Sequence, residues 1–240
     1  MPCKIKKNST IKLKMVCAKA SVNTDQELSD LMVEAYTRQK QGELSLAIQS
    51  WNALASHPSG DSELKANAHL NLGHLHQQQG NNDLAHESMA NAIAANPNSA
   101  EAYFCLAYLA QEKESFEEAI GYFETALDLN KDDAGAYNNL ANCYDRLNKN
   151  VEAIENYTKA LAIDNKYIAA YYNRGNAYIK IAKEKLAIKD LSKALELDED
   201  FYQAYYNRGT VYKQQGKDAL AQKDLAKAKS LAQAELEQQE

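Results

Sequence analysis

No stretch of this chain alternates apolar and polar residues for long enough to form a sheet; its large and small residues recur instead at a fixed long interval. Laid against itself at an offset of 34, the chain brings Ala85, Ala119, Ala153, Ala187 and Ala221 into one column, and Ala47 joins after a four-residue insertion. Four positions later the column reads Trp51, Met89, Phe123, Tyr157, Leu191 and Leu225, all large and apolar. Twelve positions before the alanine it reads Ala35, Gly73, Ala107, Ala141, Gly175 and Gly209, all tiny. Two antiparallel helices approach closely only where a residue without bulk faces its neighbour, and the large residue fills the adjoining gap. The pattern predicts a helical hairpin repeated six times.

The units begin at Leu28, Ala66, Ala100, Ala134, Ile168 and Tyr202, with helix A over roughly the first fourteen residues of each and helix B over the second half. Gly42, Gly80, Gly216 and Asn148 suit the turns between them, while Ser99, Asp133 and Asp61 or Ser62 suit the N-caps of the A helices that follow. The expected organisation is a basic, disordered leader over 1–24, a divergent first repeat over 25–61, an insertion loop over 62–65, and regular repeats over 66–99, 100–133, 134–167, 168–201 and 202–235. The last B helix is expected to run on as a cap, with 236–240 as its polar end. A hairpin of this size cannot bury its own apolar face, so stacking supplies the core and the ends need solubilising caps.

Tyr137-Asn-Asn-Leu140-Ala141-Asn-Cys-Tyr144, Tyr171-Tyr-Asn-Arg174-Gly175-Asn-Ala-Tyr178 and Tyr205-Tyr-Asn-Arg208-Gly209-Thr-Val-Tyr212 follow one half of the tetratricopeptide motif; Ala119-Ile-Gly-Tyr-Phe123 and Ala153-Ile-Glu-Asn-Tyr157 follow the other. From about residue 28 to 235 the chain resembles that family. The resemblance implies an all-α fold, a right-handed superhelical α-solenoid with a concave face lined by the A helices, and a non-catalytic role in protein–protein interaction. Two departures stand out: only Pro97 occupies the closing proline place, where other repeats have Ser59, Lys131, Asn165 and Glu199, and Arg38 stands where a tyrosine is usual.

Repeats five and six replace the usual leucine of helix A with Arg174 and Arg208, and they alone carry Asp190 and Asp224 sixteen residues later. Three of the other repeats hold leucine there, with Ser88, Tyr122 or Asn156 in the second column. An Arg near a stacking surface needs a carboxylate partner, so paired occurrence points to two structural ion pairs, Arg174 with Asp190 and Arg208 with Asp224. The competing reading has both arginines gripping an acidic ligand.

Helical geometry and the family resemblance together direct repeat positions 2, 5, 6, 9, 12 and 13 into the concave face. Position 6 reads Val33, Asn71, Cys105, Asn139, Asn173 and Asn207. An Asn amide both donates and accepts, so a ladder of them can bond the backbone of an extended peptide whatever its side chains. The ladder resembles that of the O-linked N-acetylglucosamine transferase family; the alternative is that these amides bond neighbouring helices or water. Phe104, Tyr172 and Tyr206 at position 5, with Tyr108, Asn142 and Asn176 at position 9, complete the candidate groove. The clamp by which tetratricopeptide co-chaperones hold a terminal carboxylate keeps its asparagines here, at Asn142 and Asn173, and lacks all its cations, so that class of client is disfavoured.

Net charge is −6, and residues 1–20 hold six lysines and no acid, which leaves 21 basic and 33 acidic residues, a net −12, for the remainder. That body repels phosphate backbones, which disfavours nucleic acid and favours basic peptides or protein surfaces. The four cysteines (Cys3, Cys17, Cys105, Cys143) have neither zinc-site spacing nor the density of a disulfide scaffold, and no run approaches the roughly eighteen apolar residues of a membrane span. A cytoplasmic location is expected, although the leader also suits an organelle-targeting peptide and Met15 is an alternative start. His69, His74 and His76 lie on one A helix but at a spacing that points them apart, so no metal is expected. No phosphate loop, nucleophile elbow or acid–base constellation stands out, and neither an enzyme nor a cofactor is expected. The main expectation is an adaptor or assembly scaffold holding an extended segment of an unidentified protein. The runner-up is a co-chaperone or regulatory subunit working through its convex face or leader, and self-association through the repeat ends is a third course.

Overall fold

The structure, a computed structural model, describes residues 22–237; the leader's lysines, Cys3, Cys17 and the last three residues of the expected polar end lie outside the described residues. Twelve α-helices and no strand occur among them: α1 Val22–Gln41, α2 Leu44–Ser56, α3 Ser62–Gln78, α4 Asn82–Ala95, α5 Ala100–Glu112, α6 Phe116–Leu129, α7 Ala134–Arg146, α8 Asn150–Ile163, α9 Ile168–Lys180, α10 Glu184–Leu197, α11 Tyr202–Gln214 and α12 Asp218–Glu237. Odd-numbered helices are the A helices and even-numbered ones the B helices, in the order of an α-solenoid. The helical order is a direct consequence of a chain with three prolines and of two kinds of turn that recur at the repeat length.

Each A-to-B turn has one residue in the left-handed region: Gly42, Gly80, Glu114, Asn148, Ala182 and Gly216, at φ between 55° and 79°. The chain closes around it by a six-to-one backbone bond, such as Asn81 N–H to His76 O (2.8 Å), Lys149 N–H to Tyr144 O (2.9 Å) and Lys183 N–H to Tyr178 O (2.9 Å), the Schellman arrangement that ends a helix. Each regular B-to-A loop carries an Asx turn, in which Asn96, Asn130, Asp164 and Asp198 accept through their side chains from the backbone N–H two residues on, at 2.9–3.3 Å. At Asn130, Asp164 and Asp198 these side chains set the turn without a closing proline, and at Asn96 the side chain acts beside Pro97.

Two boundaries differ from expectation. Residues 62–65, expected as a loop, form the first turn of α3, because Asp61 accepts from Leu64 N–H at 2.7 Å and caps a helix that starts four residues early. The end of the expected leader, 22–24, is the first turn of α1, where Asp25 sits in the favourable field of the helix N-terminus.

The chain divides into two compact units between Lys113 and Glu114, inside the third repeat. In the first, α1 to α5 each pack on the next, around Ala35, Ala47, Trp51, Leu54, Leu72 and Leu75. In the second, α6 to α12 do the same, and α9 also touches α7 and α11, so that consecutive A helices lie side by side. The small and large columns meet as the spacing requires. A Cβ on Gly175 would lie 3.1 Å from Leu191 Cγ, one on Gly209 3.0 Å from Leu225 Cγ, and one on Gly73 would run into Met89 Cε. The last B helix has 20 residues against 14 in α10, which gives the expected C-terminal extension.

Candidate functional site

Arg174 and Arg208 each form a two-pronged bond to an aspartate of their own hairpin. Arg174 Nε and Nη2 donate to Asp190 Oδ2 and Oδ1 at 2.7 and 2.9 Å, and Arg208 makes the same bonds to Asp224 at the same distances. The third nitrogen reaches back to the preceding B helix, donating to Thr158 Oγ1 at 3.0 Å from Arg174 and to Ser192 Oγ at 2.9 Å from Arg208. Each guanidinium also lies between two tyrosine rings, Tyr171 and Tyr178 or Tyr205 and Tyr212, 5.6–6.0 Å from the centroids. Burial alone lowers the pKa of both arginines, but the bonded aspartates and the neighbouring tyrosines outweigh it and raise them. The aspartate side chains are only 5% exposed, and with donors already converging on them the arginines are committed to the protein. In the first repeat Arg38, one turn farther along its helix, pairs with Glu34 and donates to Ser50 Oγ at 3.0 Å, so a cation reaches the same B-helix column by another route.

The candidate groove residues divide between the units. Phe104 and Tyr108 lie half-buried on α5, and Asn71, on α3, donates its amide to Asn67 O of its own helix at 2.8 Å. Cys105, which shares the asparagines' column, is buried. In the second unit the asparagines form a lattice between consecutive A helices. Asn173 donates to Asn138 Oδ1 and Asn142 Oδ1 of the repeat before (3.3 and 3.1 Å), and Asn207 donates to Tyr172 Oη and Asn176 Oδ1 (3.1 and 2.7 Å). Tyr157 Oη donates to Asn142 Oδ1 at 2.7 Å from the B helix behind. Asn138, at repeat position 5 like Tyr172 and Tyr206, is the buried anchor of this lattice. The half-buried Asn139 side chain makes no hydrogen bond to the protein among the described residues, and the Oδ1 atoms of Asn173 and Asn207 accept none there. Asn173 and Asn207 therefore spend their donors on stacking and keep an acceptor free, while the Asn139 amide is not part of the lattice. Tyr206, at the end of the row, is 58% exposed.

The remaining chemistry-bearing groups point inward or to each other. Burial pushes the Cys143 thiol up to about 12, with Arg146 opposing only weakly, so it stays protonated near neutrality. His74 Nε2 lies 3.1 Å from Glu101 Oε1 and holds that carboxyl below its ordinary range, while burial lowers the pKa of His69 and of His76. No group of three or more His, Cys, Asp or Glu side chains is arranged to hold a metal among the described residues, and none of their helices is long and apolar enough to cross a membrane.

Tetratricopeptide repeat profiles match residues 70–123, 98–166 and 202–235, and a further TPR repeat profile matches 185–216. No curated protein sequence matches the chain. Among solved structures, a tetratricopeptide repeat protein from Parabacteroides merdae is similar with a TM-score of 0.71 at 21% identity, covering 85% of this chain and 80% of that one. MamA is similar with a TM-score of 0.66 at 23% identity over 69% of this chain and 97% of its own. YrrB, described as a TPR protein with an unusual peptide-binding site, has a TM-score of 0.63 at 20% identity over 69% and 86%. At these identities the likeness is one of fold. The repeat profiles, the column of small residues against large ones and the alternating A and B helices together make this chain a member of the tetratricopeptide repeat family.

Proposed function

We propose that this chain is a non-catalytic protein-interaction scaffold whose second unit holds an extended segment of a partner protein along the face formed by α7, α9 and α11. The observation that carries the reading is the asparagine lattice. Asn is a poor helix interior residue, and the lattice fixes the amides of Asn173 and Asn207 in one orientation while leaving each an unused acceptor; Asn139 beside them keeps a whole amide. Prefixed amides bind a peptide backbone without the entropy cost of ordering them first. Helices pack about 8–10 Å apart and an extended chain rises about 3.3 Å per residue, so one amide per repeat meets about every third peptide residue. Tyr172 and Tyr206 beside them supply contact area at low entropy cost. YrrB, which shares the fold, is described as having a peptide-binding site, and that is consistent with the reading.

A peptide array tests it. Wild type is expected to hold a subset of peptides that both Asn139→Ala and the double variant Asn173→Ala, Asn207→Ala lose by about tenfold or more, at unchanged helicity. Because Asn173 and Asn207 also brace the stack, Asn139→Ala is the decisive arm. Unaltered binding by that variant and the double variant together refutes the groove.

A further inference from the structure

The last repeat breaks the electrostatic trend of the chain. Between 202 and 229 it carries Arg208, Lys213, Lys217, Lys223, Lys227 and Lys229 against Asp218 and Asp224, and one of each sign is consumed in the Arg208–Asp224 pair. A hollow of about 410 Å³ opens on this repeat between α9, α11 and α12. Tyr172, Tyr202, Tyr206, Leu225 and Ala228 line it, Gln203 and Asn207 contribute amides, and Lys229 is its only charged side chain. No carboxylate pairs with Lys229 among the described residues; Glu237, two turns on along α12, lines the adjoining surface.

The position of Lys229 has a meaning that the repeat columns expose. Its counterparts in repeats three to five are Leu127, Leu161 and Leu195, 5–7% exposed, and in the first two repeats the half-buried Ala55 and Ile93. Leu161 packs with Ala170 and Tyr171, and Leu195 with Ala204 and Tyr205, in each case beneath the A helix that follows. Lys229 is exposed on α12, and among the described residues no A helix packs over it as α9 and α11 pack over Leu161 and Leu195. Tyr206 is uncovered in the same way. Its counterpart Tyr172 is packed by Phe201, with ring centroids 4.7 Å apart, and accepts from Asn207, whereas Tyr206 has neither cover. An ammonium where a buried leucine would be needed adds a desolvation cost that disfavours the docking of another apolar helix there. What remains suited to the hollow is an occupant bearing a carboxylate beside an apolar or aromatic group.

We propose that this hollow is a specificity subsite for an acidic residue, Asp or Glu, lying next to an aromatic or aliphatic one within an extended peptide of a partner protein. The carboxylate meets Lys229, the neighbouring side chain lies on Tyr206 and Tyr172, and the amides of Gln203 and Asn207 take the backbone between them. A single ammonium matches an acidic side chain inside a peptide; a free terminal carboxylate gains most from several converging cations. The inference rests on the groove reading and assigns its last repeat the acid-selective position, although the body of the chain as a whole is acidic.

The experiment is an array of octapeptides blocked at both ends, in which Glu, Gln or Lys stands next to each apolar or aromatic residue. Wild type is expected to favour the Glu peptides with an aromatic neighbour. Lys229→Gln weakens them by about tenfold, Lys229→Glu turns the preference toward Lys peptides, and Tyr206→Ala removes the aromatic preference. Both positions are exposed, so melting temperature stays unchanged. The proposal is overturned if Lys229→Glu leaves the charge preference as it was, if binding needs an unblocked C-terminus, or if light scattering shows a dimer that Tyr206→Ala dissolves. Binding that ignores Lys229 yet fails in Asn139→Ala defeats this subsite and leaves the groove standing; no retained peptide at all defeats both.

Discussion

Arg208 and Asp224 show how far a single pair of columns can be carried. Their carboxylate is 5% exposed and accepts two short bonds, so removing it strands a guanidinium among two tyrosines with no counter-charge. Asp224→Ala is expected to cost about 2–4 kcal/mol, the lower part of that range if water reaches the 18% exposed arginine, and to lower the melting temperature by several degrees. Replacing both partners with the residues of repeat two, Arg208→Leu with Asp224→Ser, is expected to recover most of the loss, since leucine and Ser88 fill the same columns there. A melting curve no lower for Asp224→Ala than for wild type would assign the arginine to a ligand. The paired occurrence of Arg and Asp was legible in the sequence. The reach of each arginine to Thr158 or Ser192 was not, because that contact depends on how the preceding hairpin is placed.

At the scale of the element, the repeat is defined by its turns as much as by its helices. Six turns use a left-handed residue, and two of them use one that dislikes it: Glu114 and Ala182, at φ 58° and 55°. A side chain in that region costs roughly 1–2 kcal/mol, and glycine removes the cost while adding freedom to the unfolded chain. Ala182→Gly is expected to stabilise by about 0.5–1 kcal/mol, read as a raised denaturation midpoint. Gly80→Ala, at φ 76°, is the mirror experiment and is expected to lower it. The glycines at 42, 80 and 216 mark their turns openly in the sequence. Glu114 and Ala182 carry no such mark, and only the fixed interval between turns betrays them. The first turn of α3 was hidden for a similar reason: an insertion reads as a loop until Asp61 is seen capping it.

At the scale of the molecule, the histidines are unevenly shared. All five histidines (His57, His69, His74, His76, His86) precede Lys113, so the unit from Glu114 onward has none. His69 and His76 are held below their ordinary pKa by burial, which means the folded state binds fewer protons than the unfolded state. Their contribution to stability is complete above the unfolded value of about 6.5 and is lost as pH falls from there toward the folded values. Hydrogen exchange at pH 7.5 and pH 5.5 is expected to show α3 and α4 losing protection while α9 to α12 keep theirs, and His69→Gln with His76→Gln is expected to flatten the response. Equal loss in both units would show that carboxylates, not these histidines, govern the acid limb.

What the sequence by itself determined is the repeat: its length, its hairpin, its close contacts at Gly73, Gly175 and Gly209, and the partners of Arg174 and Arg208. Those features are periodic, and a period is written in one dimension. What the tertiary structure decided is how each side chain divides its bonding capacity between neighbouring repeats and the open face. Asn138 became a buried anchor, Asn173 and Asn207 gave their donors to the repeat before them, and Lys229 came to stand in the open where a leucine is otherwise covered. None of this follows from spacing along one hairpin, because a hydrogen bond across a stack, or the exposure of a side chain on one of its helices, depends on how the hairpins lie against one another.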